Sequence, residues 1–183
     1  MGFEKGSFGL IRHAKTELNL QNRVQGTTDN SATPQSLNEM REFARTLRER
    51  NLNFSRIYTS DLQRTIETGE VFQEELGIRS AFIEPRFRDR GQGDLEGKTY
   101  EEADILEGIE GIYLGEERSA FRARVLIAHC MIQEREVGSN ILYITHSAVA
   151  KVILESEGHK LSNGVFPNNV LVLISDGQAM TIR

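Results

Sequence analysis

Short apolar runs alternate along this chain with stretches whose apolar positions recur every three to four residues. Phe8–Arg12, Arg56–Thr59 and Ile141–Thr145 are compact runs of strand-forming residues; residues 170–175 form a further one, and residues 81–84 are another candidate. Between them the period changes to that of a helix. Leu37, Met40, Phe43, Ala44 and Leu47 share one helical face, and Thr33-Pro34 ahead of them supplies an N-cap and a first-turn proline. Leu62, Ile66, Gly69, Phe72 and Leu76 repeat the spacing. Ser60-Asp61-Leu62-Gln63 reads as the capping box opening that helix, and Gly77 as the residue closing it. Residues 121–136 return to helical character, and another helix begins at residues 149–154. Strands alternating with helices predict an α/β fold: a three-layer sandwich in which a mostly parallel central sheet is flanked by helices.

One stretch breaks the alternation. Between residues 91 and 115 lie six glycines, at 91, 93, 97, 108, 111 and 115, mixed with Glu and Asp. Such density predicts loops and a short irregular cap in place of a strand. The chain therefore reads as a single domain over residues 1–183 with a small cap insertion at about 91–120, a size that suits one buried core.

Composition narrows the function classes. Hydrophobic residues make up 38% and charged residues 27%, the balance of a water-soluble protein, and no apolar run approaches bilayer length. A formal net charge of −5 argues against a nucleic-acid partner, which calls for a basic face. Any anionic ligand must be caught by local cations and not by the global field. The single Cys excludes an internal disulfide, and no basic region with a long apolar core opens the chain; both point to the cytoplasm.

The candidate chemistry gathers around two histidines. His13 follows Phe8–Arg12, and His146 follows Ile141–Thr145, so each stands at the C-terminal end of an apolar strand. In open α/β sheets that edge binds ligands, and helix N-termini there favour anions. Either histidine alone is as readily an ordinary strand-end residue; the pair in equivalent places is harder to dismiss. Arg12 adjoins His13, and Arg64 lies just past the second strand. The planar fork of arginine suits phosphate oxygens, although Arg64 read by itself is more simply a solvated helix residue facing Glu67.

Longer motifs carry a family resemblance. Arg12-His13-Ala14-Lys15-Thr16-Glu17-Leu18-Asn19 resembles the R-H-G-E-T-x-x-N signature of the histidine phosphatase, or phosphoglycerate-mutase-like, superfamily. Residues 22–29 look like its R-x-Q-G-x-x-D segment, residues 58–65 like its S-x-L-x-R-A/T block, and residues 87–97 like its L-x-E-x-x-x-G-x-x-E-G block. Thr145-His146-Ser147 is similar to S-H-G. Five blocks occur in family order.

The resemblance implies a phosphatase of the phosphoric monoester hydrolase type, working through a phosphohistidine on His13. Arg12, Arg64 and His146 would bind the phosphoryl oxygens, with His146 cationic, and Asp89 would protonate the leaving oxygen. Asn19, Gln25 and Ser147 are implied substrate contacts. A backbone carbonyl would hold the other ring nitrogen of His13. No metal and no cofactor is called for, and the substrate would be a phosphorylated small molecule or a phosphoprotein. Ala14 and Ser147 replace family glycines, Ser147 as a possible helix cap or phosphate contact. Asp89 replaces a glutamate, shortening the acid by one methylene. Glu96 and Asp94 are fallback acids, and Arg86, Arg88 and Arg90 could meet an anionic substrate. His129 and His159 are expected to be structural or on the surface. Two other functions stay open: a phosphoglycerate mutase, whose family members carry longer insertions than the 56 residues lying between Asp89 and His146, and a catalytically impaired phosphoryl-binding protein.

Overall fold

The structure, a computed structural model, describes residues 7–107, 109, 111–161 and 166–183. Gly108 of the glycine-rich stretch lies outside them. Six strands are described: β1 (Phe8–Arg12), β2 (Arg56–Thr59), β3 (Ala81–Ile83), β4 (Ile141–Thr145), β5 (Leu171–Ser175) and β6 (Gln178–Ile182). They form one sheet in the order β3-β2-β4-β1-β5-β6. The first four in that order run parallel; β5 runs against β1, and β6 against β5.

Alternation along the buried strands assigns their residues to two layers. On one face Leu10, Ile141 and Tyr143 pack against Val125, Ala128 and Ile132 of α5 (Arg118–Arg135) and Val149 and Ile153 of α6 (Ser147–Ser156). On the other, Ile11, Leu142 and Ile144 meet Met40, Phe43, Ala44 and Leu47 of α2 (Pro34–Glu49) and Val71 and Phe72 of α3 (Gln63–Leu76). This is the expected three-layer sandwich. Gly69 explains its place on the buried face of α3: a Cβ there would stand 2.7 Å from Thr59 Cγ2, so the helix lies directly on β2.

Thr33 caps α2 by accepting from the Ser36 amide, and Gly77 closes α3 in the left-handed conformation, both as the sequence predicts. Three local expectations change. Ser60 does not cap α3; the residue at that place is Leu62, which has no side-chain cap, and the Ser60 hydroxyl is engaged elsewhere. Helix α6 begins at Ser147, two residues early, which makes His146 its N-cap residue. Strand β6 was not foreseen. Asp176 and Gly177, at φ 50° and 72°, form the two-residue hairpin turn, but β6 is a largely exposed edge strand without a marked apolar run.

The segment at 91–120 is more ordered than its glycines suggest. It holds a 3-10 turn at Gly93–Leu95 and α4 (Tyr100–Leu106), opened by a capping box between Thr99 and Glu102. A separate small cluster of Val24, Leu95 and Ala103 underlies it. Backbone bonds from Val24 to Lys98 and from Gly97 to Val24, both 2.8 Å, stitch the segment to the loop after His13.

Candidate active site

The neighbouring parallel strands β1 and β4 align Arg12 with Thr145, and the His13 amide donates to the Thr145 carbonyl at 2.9 Å. The two histidines that follow are therefore brought together, their ring centroids 5.2 Å apart. His13 Nδ1 lies 2.7 Å from the Ala14 carbonyl oxygen. A carbonyl only accepts, so Nδ1 carries the proton and the Nε2 lone pair is left free. The side-chain amide of Asn168 donates to the His13 carbonyl at 2.7 Å, and the Ala14 amide donates to Thr68 Oγ1 at 2.9 Å. Neither Ala14 nor Ser147 has a positive φ, so the missing glycines leave no backbone strain.

His146 is fixed from its other side. Its Nε2 is 2.9 Å from Ser60 Oγ, which is 2.7 Å from Thr65 Oγ1. The Thr65 hydroxyl reaches the carbonyls of Leu62 (2.8 Å) and Ser60 (3.1 Å), which can only accept. Thr65 thus donates to a carbonyl and accepts from Ser60, and Ser60 accepts from His146 Nε2–H. This relay turns the unprotonated Nδ1 towards Arg64 Nη2, 3.4 Å away, and Asp89 Oδ2, 3.9 Å away.

Arg64 is wholly buried, its two terminal nitrogens donating to the carbonyls of Thr28 and Gly26 at 2.8 Å and, more weakly, to Asn30. Arg12 donates to the Phe166 carbonyl at 3.3 Å. The Nε–H groups of both arginines are buried without a hydrogen-bond partner. Two orphaned donors on adjacent cations call for an acceptor, and an oxyanion supplies it.

Burial pushes the His13 imidazole well below the usual histidine range, helped by Arg64 and Arg12, so the ring is neutral near pH 7. The same holds for His146, through burial first and then Arg64, His13 and Arg12. The expectation of a cationic His146 is therefore corrected: this ring is neutral in the unliganded protein, because it has no solvent and two cations beside it. Asp89 moves the other way. Its side chain is 22% exposed, yet burial raises its carboxyl above the usual range, against the opposing pull of Arg64, the Arg90 amide and Arg12.

Arg12, Asn19, Gln25, Asp89 and Ser147 line one cavity of about 350 Å³, with Tyr100 and Lys151 also on its wall. His13, Arg64 and His146 lie beneath them, each no more than 1% exposed. Asn19 and Gln25 both turn their amide oxygens to Thr16, which leaves their NH₂ groups without a partner among the described residues. Ser147 accepts from the Phe166 amide at 2.9 Å and does not cap α6.

Other candidates are placed apart from this chemistry. Glu96 accepts from Thr27, Thr28 and Gln92; burial alone would raise its carboxyl, but these bonds hold it below the usual range, as a tether and not an acid. Asp94 accepts from the Tyr113 amide. Arg86 pairs with Glu84, Arg88 with Asp61, and Arg90 donates to Gln92. His129 packs edge-on against Phe8 and Tyr143 near Glu157. His159 donates its backbone amide to Leu154. Among the described residues no three His, Cys, Asp or Glu side chains converge as metal ligands, and no helix is long and apolar enough to cross a membrane.

Sequence reasoning missed Thr16, Ser60, Thr65, Thr68 and Asn168, which hold the polar groups in place. Only Thr16 carried a local signal, as the first residue of the Thr-x-x-Asn box that caps α1 (Glu17–Leu20). The rest act across the fold.

Paired strand-end histidines beside the buried Arg64 and the partly buried Arg12 mark an α/β fold with a cationic site at the C-terminal edge of its sheet. The comparisons give it its family: residues 8–164 match the histidine phosphatase superfamily (branch 1), and the chain belongs to it. A 2,3-bisphosphoglycerate-dependent phosphoglycerate mutase of Nautilia profundicola is 34% identical over 109 residues, 57% of this chain and 47% of that protein. A probable phosphoglycerate mutase GpmB of Photorhabdus laumondii is 31% identical over 150 residues, 75% of this chain and 67% of that one. The chain spans about half the length of several of the mutases it matches. In fold it is similar to Bacillus stearothermophilus YhfR, at a TM-score of 0.77 and 24% identity, covering 96% of this chain and 94% of that one.

Proposed function

We propose that the chain is a phosphomonoesterase that carries the phosphoryl group on His13. The observation that carries this reading is the fixed, neutral imidazole: Nδ1–H tied to the Ala14 carbonyl, and the free Nε2 in a pocket with two orphaned guanidinium donors. In the first step Nε2 attacks phosphorus in line, the N–P bond forms, and the bond to the ester oxygen breaks. Asp89, whose raised pKa favours the acid form, gives its proton to the leaving oxygen. Arg12 and Arg64 hold the equatorial oxygens, joined by His146 through Nδ1 once that nitrogen takes the proton of the bound phosphate monoanion. In the second step the Asp89 carboxylate takes a proton from water, the water oxygen attacks phosphorus, and the N–P bond breaks. His13 returns to its neutral form and inorganic phosphate leaves.

Asn19, Gln25 and Ser147 fit as contacts to the phosphoryl group and its ester, since all three line the cavity. The substrate class is a phosphorylated small molecule or a phosphoprotein, and the cytoplasm is the compartment the composition favours.

The test is hydrolysis of an aryl phosphate by the wild type and His13→Ala, with an alkaline quench to trap phosphohistidine. Turnover and a trapped phosphoenzyme in the wild type alone support the proposal; undiminished hydrolysis by the variant removes it. The identity with bisphosphoglycerate-dependent mutases favours a second reading, phosphoglycerate isomerisation. Incubation with 3-phosphoglycerate and its bisphosphate cofactor separates the two, because a mutase interconverts the isomers without releasing phosphate. Phosphate binding with no turnover in either assay identifies a phosphoryl-binding protein.

A further inference from the structure

The loop that carries Asp89 is held by a side chain outside the site. Arg124, in the second turn of α5, has five N–H groups, and every one is engaged. Nη1 donates to the carbonyls of Arg86 (2.6 Å) and Arg88 (2.8 Å), and Nη2 to the carbonyl of Asp89 itself (2.9 Å). The remaining two N–H groups clasp both carboxylate oxygens of Glu116 at 2.7 Å. Glu116 completes the bracket from its own backbone, its amide donating to the Gly91 carbonyl at 2.9 Å. The ring of Phe121 lies 4.9 Å from the guanidinium carbon.

The flanks of this loop are tied by the two bonds of Arg88 to Asp61 and by the Gln92 amide bond to Glu96. The Asp89 carboxylate has one hydrogen bond, from the Arg90 amide at 3.0 Å. Asp89 faces the catalytic cavity, whereas Arg88, Gly91 and Gly93 line a second cavity of about 590 Å³. The loop is thus a thin wall with open space on both sides, and an aspartate reaches less far from such a wall than a glutamate. Its backbone must be held correspondingly close. We infer that Arg124 is a positioning residue, which by gripping the carbonyls of residues 86, 88 and 89 sets the reach of the Asp89 carboxyl to the leaving oxygen. Lysine offers the same charge as a single point and cannot span three carbonyls and a carboxylate.

This inference rests on Asp89 being the general acid, and leaving-group dependence tests the two separately. Esters with very acidic leaving groups depart without a proton, whereas alkyl esters need one. In Arg124→Lys, kcat/KM for an alkyl phosphate, which reports formation of the phosphoenzyme, is expected to fall about 10- to 1,000-fold, while kcat/KM for 2,4-dinitrophenyl phosphate falls no more than about threefold. Competitive inhibition by inorganic phosphate stays at the wild-type level, because the phosphoryl pocket is untouched. Glu116→Gln, which keeps the three carbonyl bonds, gives the same selectivity in weaker form and guards against a variant that fails to fold. Combined with Asp89→Asn, the Arg124→Lys change adds no further leaving-group effect. Equal losses on both esters, or none, overturn the role of Arg124. If Asp89→Asn itself shows no leaving-group selectivity, the acid assignment fails and takes this inference with it.

Discussion

The two halves of the site are built from different materials. The phosphoryl half stands on the sheet: His13 and His146 leave adjacent parallel strands at matching register, and Arg64 is buried at the start of a helix packed onto β2. The acid half stands on a loop, where Asp89 owes its place to the guanidinium of Arg124 and to bonds around Glu96 and Glu116. A sheet edge resists displacement because moving one residue disturbs a ladder of backbone bonds and two packed layers. A bracketed loop moves when one bracket opens. On the proposed function, the comparison assigns phosphoryl binding to the rigid part of this site and delivery of the proton to its more easily displaced part.

That division is open to attack at several points. The largest effect is expected on the sheet side: His13→Asn removes the imidazole nitrogen proposed to attack phosphorus and lowers turnover by about four orders of magnitude or more, for every leaving group. Steady-state kinetics with a poor and a good leaving group checks it, and a variant that spares one ester breaks the comparison.

Next comes the loop side. Asp89→Asn is expected to lower kcat/KM about 10²- to 10⁴-fold with an alkyl phosphate and far less with a dinitrophenyl ester. The wild type should lose alkyl phosphatase activity as pH rises through the raised Asp89 pKa, since the proton to be donated is then gone. A pH profile of kcat/KM for the alkyl ester with no such basic limb contradicts the assignment.

A smaller effect concerns stability. His13 and His146 have folded-state pKa values depressed below the ordinary 6.5, so below that pH the unfolded chain binds protons that the folded one refuses. Stability should therefore fall as pH drops below 6.5, by at most about 1.4 kcal/mol per pH unit for each histidine. Urea unfolding between pH 7 and 5 measures the slope, and His146→Gln should lessen it.

The smallest effect belongs to the cap. Thr99→Ala removes the capping box of α4 and is expected to cost about 1 kcal/mol. Because α4 rests on its own small cluster, the loss should appear as faster amide exchange in residues 100–106 while the unfolding midpoint of the sheet barely moves.

The same contrast marks what was legible in the sequence. Strand ends announce themselves through apolar runs, so β1, β2 and β4 and the places of His13, Arg12 and His146 follow from the pattern. The faces of α2 and α3, with Thr33 and Gly77, follow from helical spacing and cap chemistry. Strand β6 escaped because an exposed edge strand needs no apolar alternation, and α4 escaped because glycines on either side of it obscured a single capped helix. Ser60 was misread for a physical reason: its spacing fits a capping box, but a buried imidazole competes for the hydroxyl and wins. The charge of His146 was misjudged because sequence shows neighbours in the chain and not the absence of water. Arg124 was invisible as a partner of Asp89, since 34 residues intervene between them and three of its acceptors are main-chain carbonyls.

The hydroxyl of Ser60 joins β2, α3 and β4 at one atom: it accepts from the Leu62 amide, gives its proton to Thr65, and receives that of His146. Position 60 is therefore a keyhole for side-chain replacement. Alanine would free the imidazole to change tautomer, asparagine would bring bulk into a fully enclosed space, and threonine alone preserves both the donor and the acceptor. A saturation library at this single codon, selected for turnover, should return serine and threonine and little besides.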